Sequence, residues 1–156
     1  YAVWVRESPS FWAYTWILSL HAMGLAIVVG INFIVALRLL GFAPEIKLNT
    51  LRKLFPWMYL GFAVNAFSGL SLLSANASND LHNWMFFVKL SMIALSMVNL
   101  ELTKANVFND PAVINNTGVP PGAKKFAIMS IVFWSLAICA GRLTEYPAFV
   151  QAWFGF

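Results

Sequence analysis

An all-α bundle of four transmembrane helices, with both termini on the side away from the cytoplasm, is the fold this sequence predicts. Three observations lead there. Hydrophobic residues make up 60% of the 156 and charged residues only 10%, whereas a soluble domain carries about 25% charged residues. Four apolar segments are each long enough to cross a hydrocarbon core about 30 Å thick, which takes about 20 helical residues. The basic residues sit in the gaps between those segments. The net charge of +4 therefore reads as charge that orients helices, and nucleic acid is not an expected partner.

The first predicted helix covers residues 11–40 and follows "SPS", where Ser8 or Ser10 suits a helix cap. It is long enough to tilt or to protrude into water. The second, residues 56–74, begins at Pro56, and a first-turn proline has no amide donor to waste. The third covers 84–102 and the fourth 126–144. Between the second and third, "SANASNDLHN" reads as a loop, and so does "ANVFNDPAVINNTGVPPGAKK" between the third and fourth, rich in Asn, Pro and Gly. No stretch outside the four helices is long enough to bury a core, so residues 1–156 form one membrane domain. A start at Tyr1 in place of Met fits a preceding leader or processing site. A single cysteine, Cys139, excludes an intrachain disulfide.

Orientation follows from the Lys and Arg residues near the helix ends. Arg38, Lys47, Arg52 and Lys53 flank the first connection, and Lys104, Lys124 and Lys125 flank the third, against Arg6 and Arg142 on the other side. The positive-inside rule puts both basic connections in the cytoplasm. Trp4, Trp12, Trp16, Trp84 and Trp153 then lie near the outer boundary and Trp57 near the inner one, as interfacial belts require.

Helical rise turns sequence position into depth. At about 1.5 Å per residue, His21 lies about 25 Å above Arg38, Lys89 about 22 Å above Lys104, and Arg142 about 25 Å above Lys125. Asn65 and Ser68 lie about 18 and 22 Å above Lys53. Every helix thus brings polar groups to the outer half of the membrane. Ionisable groups at such depth face the bundle interior and have partners. Here there are two cations and a histidine with no carboxylate among them; Asp80 and Glu145 are the nearest acids. Two explanations stand side by side. Arg142 pairs with Glu145, Lys89 snorkels toward Asp80 or lipid phosphate, and His21 hydrogen-bonds Ser or Asn in a packed core. Alternatively, an anionic ligand or cofactor completes the layer.

His82, Met85, Phe86 and Lys89 fall at i, i+3, i+4 and i+7 and share a face if the third helix reaches back that far. His21 and His82, on separate helices, could then clamp the iron of a b-type haem. Gly24, one turn after His21, would leave room for the macrocycle, and Lys89 and Arg142 would meet its propionates. His82 computes about 8 Å higher than His21, a difference that tilt or stagger must absorb. His82 is otherwise an interfacial histidine beside Trp84. Copper is the competing ligand, since His21, His82 and Met85, with Met23 nearby, offer donors that copper(I) accepts, although Met23, two residues from His21, points elsewhere and Cys139 at a similar depth reads as an inert small hydrophobe.

Toward the cytoplasmic side, Arg38 and Glu101 come from different helices at similar depth and are expected to form a structural ion pair. Ala26 and Gly30 have the small-xxx-small spacing that admits a neighbouring helix. The chain has no nucleophile with a matching base, no paired carboxylate layer, no phosphate-cradling glycine loop and no two-histidine helical zinc motif. Catalysis by this chain alone is therefore not expected, which leaves cofactor or metal handling, or a structural subunit of a larger membrane complex.

The stretches "WVRESPSFWAY", "LHAMGLAIVVG", "LRLLG", "FFVKLSMIALSMVNLE" and "SIVFWSLAICAGRLTEY" resemble an uncharacterised bacterial family of small four-helix integral membrane proteins, distantly similar to the copper-resistance D membrane domain. The resemblance spans nearly the whole chain and falls on His21, Arg38, Lys89, Trp134, Gly141 and Arg142. It implies four helices in the bacterial inner membrane and an association with copper handling. Beyond the lipid bilayer, the expected partners are other membrane subunits or a periplasmic redox or metal-binding protein. Where the family pattern leads one to expect an acid before "RLLG", this chain has Ala36.

Overall fold

The computed structural model describes residues 11–80 (side chains from 14 to 74), 83–115, 117–144 and 146. Every regular element among them is helical: α1 (Phe11–Leu40), α2 (Leu48–Leu51), α3 (Phe55–Asp80), α4 (Trp84–Thr103), α5 (Pro111–Ile114) and α6 (Ala123–Thr144). A 3-10 turn, Arg52–Leu54, joins α2 to α3, and a π turn, Lys104–Phe108, continues α4. Four of these, α1, α3, α4 and α6, are long and apolar enough to cross a membrane, so the chain is a multi-pass membrane protein by length and composition.

The expected limits of the first helix match α1, and the fourth begins three residues earlier than expected. The loop expected from Ser74 onward is instead helical as far as Asp80. Nothing between Ser74 and Asp80 is a Gly or Pro that would stop a helix. Leading into that stretch, serine hydroxyls fold back onto carbonyls of the same helix: Ser71 Oγ donates to Phe67 O at 3.0 Å and Ser74 Oγ to Ser71 O at 2.7 Å. The expected long loop before α6 also contains structure. Asp110 caps α5 by accepting from Ala112 N at 2.8 Å, with Pro111 in the first turn.

The fold comprises two compact units. The first contains residues 11–31 and 54–80, that is, most of α1 with α3. Its two helices meet at glycines. A Cβ on Gly24 would lie 2.8 Å from both Asn65 N and Gly61 O, and one on Gly61 would lie 2.9 Å from Ile27 Cγ2. The main chains therefore approach as closely as small residues allow. On α3 the buried positions Met58, Gly61, Asn65, Ser68 and Ser71 recur every three or four residues, while Phe67 (73% exposed) and Leu70 point outward.

The second unit contains residues 32–53 and the described residues from 83 on. Here α4 and α6 pack along each other. The buried side of α6 is Ala123, Ala127, Ser130, Trp134, Ala137 and Ala140, five small residues and one large ring. Polar groups join the elements: Asn99 Nδ2 donates to Phe126 O at 3.0 Å, and Ser130 Oγ to Asn32 Oδ1 at 3.1 Å.

The close approach makes an unequal pair of substitutions. Gly24→Ala forces a Cβ into backbone and should cost about 1–3 kcal/mol, whereas Gly30, with nothing within 4 Å of its Cβ position, should accept Ala with no loss. Thermal unfolding in a mild detergent separates the two; equal melting temperatures would remove Gly24 as a packing contact.

Candidate functional site

His21 lies nearly three turns inside the amino-terminal end of α1, half-buried, with its ring against α3. Its Nδ1 is 3.0 Å from Asn65 O and 3.2 Å from Ser68 Oγ. A carbonyl oxygen can only accept, so Nδ1 carries the proton and donates to it. Ser68 Oγ donates its own hydrogen to Val64 O at 2.6 Å and is left to accept a share of the same N–H. Asn65 Nδ2 donates to His21 O at 2.9 Å. It stands 3.4 Å from Nδ1, but two donors facing each other make a contact and not a bond. This orientation of the ring, with Nδ1 donating to a carbonyl, is the one a metal-ligating histidine adopts.

Glycine again makes the geometry possible. A Cβ on Gly69 would lie 3.1 Å from His21 Cε1 and 3.4 Å from Nδ1, so the ring lies directly over this residue. Gly69 was not among the sequence candidates; its spacing of four from Asn65, with Gly61 a further four residues back, is the signal that a search for small residues facing His21 would use. Gly24, expected to make room for a macrocycle, does not. Its open side is filled by the α3 main chain at 2.8 Å.

The remaining candidates fall in the second unit or outside the description. Lys89 runs its stem across Gly141, whose Cβ position is 3.6 Å from Lys89 Cδ, and its ammonium stands 5.9 Å from the centre of the Phe86 ring. Lys89 and Arg142 thus start from one level of the α4–α6 pair. Arg142 is exposed and lies over the Tyr146 ring at 5.8 Å. His82 lies outside the described residues, as does Glu145. Among the copper donors, Met85 is buried, whereas Met23 (61% exposed) and Cys139 face outward. No group of three or more His, Cys, Asp or Glu side chains gathers among the described residues.

The pair expected between Arg38 and Glu101 is replaced by local contacts among the described residues. Arg38 donates from Nε to Ile46 O at 2.6 Å and from Nη2 to Pro44 O at 3.0 Å. The Glu101 carboxylate is 3.9 Å from Lys104 Nζ, one turn along its own helix. Similar depth on two helices does not make two side chains face each other.

Asn83 does more than the sequence reading asked of it. Its side chain caps α4 by accepting from Met85 N at 3.0 Å, and its Nδ2 donates to Thr144 O at 3.2 Å, tying the end of α6 to the start of α4. Asn83→Ala should lower stability by about 1 kcal/mol or more, while Asn83→Asp, which keeps the capping oxygen and loses the donor, should recover part of it. Melting temperatures of the two variants in detergent measure the split; no difference from the parent in either would dismiss the clip. No family model, curated protein or solved structure matches the chain.

Proposed function

We propose that the chain is a protein of the bacterial inner membrane, with both termini away from the cytoplasm, that binds one b-type haem for electron transfer. His21 and His82 would supply the imidazoles that hold it, with Lys89 and Arg142 as partners for its propionates. The observation that carries this reading is the hydrogen bond from His21 Nδ1 to Asn65 O. That bond fixes the tautomer and restrains the ring, the support a ligating histidine receives from its surroundings. The donor chemistry fits haem on the side of His21; Gly24 has no part in the site. Bound haem would supply one-electron chemistry. His21 would hold the iron, Asn65 and Ser68 would orient the imidazole, and the two cations would neutralise carboxylates. A periplasmic redox protein is the partner such a site would serve.

Copper handling is the alternative that the likeness to the copper-resistance D domain raises, and Lys89 and Arg142 weigh against it because they would repel the metal. A second reading has its own support. Ala26 and Gly30 are exposed on α1, with nothing within 4 Å of the Gly30 Cβ position, and so offer a face on which another membrane helix could pack. In that reading the chain is a structural subunit of a larger complex.

Orientation is tested by reporter fusions after Lys53 and after Ser78. They should report opposite compartments, the first cytoplasmic; one compartment for both would overturn the assigned topology.

The optical spectrum of the purified protein, oxidised and then reduced, tests the cofactor. Sharp reduced bands should vanish in His21→Ala and in His82→Ala, and shift or weaken in Gly69→Ala as the new methyl presses on the imidazole edge. A featureless visible spectrum with stoichiometric copper would replace haem by copper. A colourless, metal-free protein that retains a stoichiometric partner in mild detergent would leave the subunit reading.

A further inference from the structure

Where α1 ends, the chain turns sharply and builds a small cleft. Gly41 has φ 108° and Ala43 φ 48°, and for Ala43 this is a left-handed conformation that L side chains seldom adopt. The turn brings the carbonyls of Pro44 and Ile46 round to Arg38, which donates to both. Two N–H groups of the guanidinium are thereby spent on holding it still. The others have no acceptor among the described residues and remain available to a further oxygen.

Arg38 lines an open cleft of about 160 Å³, room for a small ion and its waters. Lys47 shares the lining with it, as do Leu48, Val113, and Thr117 and Val119 from the segment after α5. No carboxylate contributes to the wall, and among the described residues neither Arg38 nor Lys47 has an ion-pair partner. Two cationic residues on the wall of one cleft, one of them fixed by backbone carbonyls, favour an anion within it. The planar guanidinium fork matches two oxygens of a phosphate. An apolar wall next to the charges suits a phosphate that carries a hydrocarbon chain, and the cleft opens where the apolar span Tyr14–Leu40 ends.

We propose that this cleft is a phosphate-binding site, with the oxyanion held between Arg38 and Lys47. The phosphate has two sources, the headgroup of an anionic phospholipid or free phosphate in solution. The site does not depend on the haem reading.

The test uses the protein purified in a non-ionic detergent and analysed by native mass spectrometry with phosphatidylglycerol or phosphatidylcholine at equal mole fraction, with and without inorganic phosphate. The deciding variant is Lys47→Gln, because it leaves the carbonyl bonds of Arg38 in place; Lys53→Gln, a basic residue outside the cleft, is the control. Melting temperatures without added ligand confirm that both variants fold. The protein should retain phosphatidylglycerol in preference to phosphatidylcholine, and Lys47→Gln should reduce that retention about fivefold while Lys53→Gln does not. If inorganic phosphate instead displaces the lipid, and raises the melting temperature of the parent but not of Lys47→Gln, the source is free phosphate at the same site. Equal phosphatidylglycerol retention by Lys47→Gln and Lys53→Gln, with no response to phosphate, would overturn the proposal.

Discussion

At Gly24 and Gly61 the main chains of α1 and α3 come so close that a Cβ on either residue would stand less than 3 Å from an atom of the other helix. Lipid tails are as apolar as leucine, so helices in a bilayer gain little from burying hydrocarbon and hold together through close packing and polar contacts. The glycine crossing supplies the first and sets up the second. His21 lies about one turn before Gly24 and Asn65 about one turn after Gly61, so antiparallel packing brings them to the same level. Only at that separation can Asn65 Nδ2 reach His21 O at 2.9 Å while His21 Nδ1 reaches Asn65 O at 3.0 Å. A wider crossing would break both bonds together, and the imidazole would lose its fixed tautomer.

The same constraint explains which side chains are inside. Asn32, Asn65, Ser68, Ser71, Ser96, Asn99, Thr103 and Ser130 are buried, while Trp16, Met23, Trp57, Phe67 and Leu70 are exposed. For a soluble protein this would be the wrong way round. In lipid, large apolar side chains lose nothing by facing outward, so small hydrogen-bonding residues can share the interior with Leu39, Met58, Phe108 and Trp134. The buried hydroxyls of Ser96 and Thr103 each donate to a carbonyl of their own helix, at 2.8 and 2.7 Å, so they cost little when buried. The buried amides bridge elements instead, as Asn65 does in one unit and Asn99 and Asn32 do in the other.

How much of this the sequence discloses depends on the kind of signal. The limits of α1 were legible because Arg38 and the Gly41 turn follow a run without charge, and composition settled the four apolar helices. The end of α3 was not, because "SANASND" has loop composition but nothing that forbids a helix. Capping chemistry marks two further starts: Asp110 before Pro111 announces α5, and Asn83 before Trp84 announces α4. At the site, depth arithmetic brought His21, Asn65 and Ser68 to one level, and there the structure joins all three. It could not show that Gly24 meets backbone or that Gly69 lies under the ring, since neither follows from height.

Arg38 and Glu101 mark where that arithmetic stops. Rise along a helix fixes height, but contact also needs the right azimuth, which only the packing determines. Arg38 had a nearer option than a carboxylate on another helix. The turn at Gly41 and Ala43 folds carbonyl oxygens back within reach, and an arginine at the end of a helix readily takes acceptors that the chain itself supplies. Two neutral carbonyls hold the guanidinium without cancelling its charge, whereas Glu101 would have cancelled it. An arginine kept fixed and still cationic beside Lys47 is therefore a different object from half of a structural ion pair. It leaves positive charge at the membrane boundary where an ion pair would have left none.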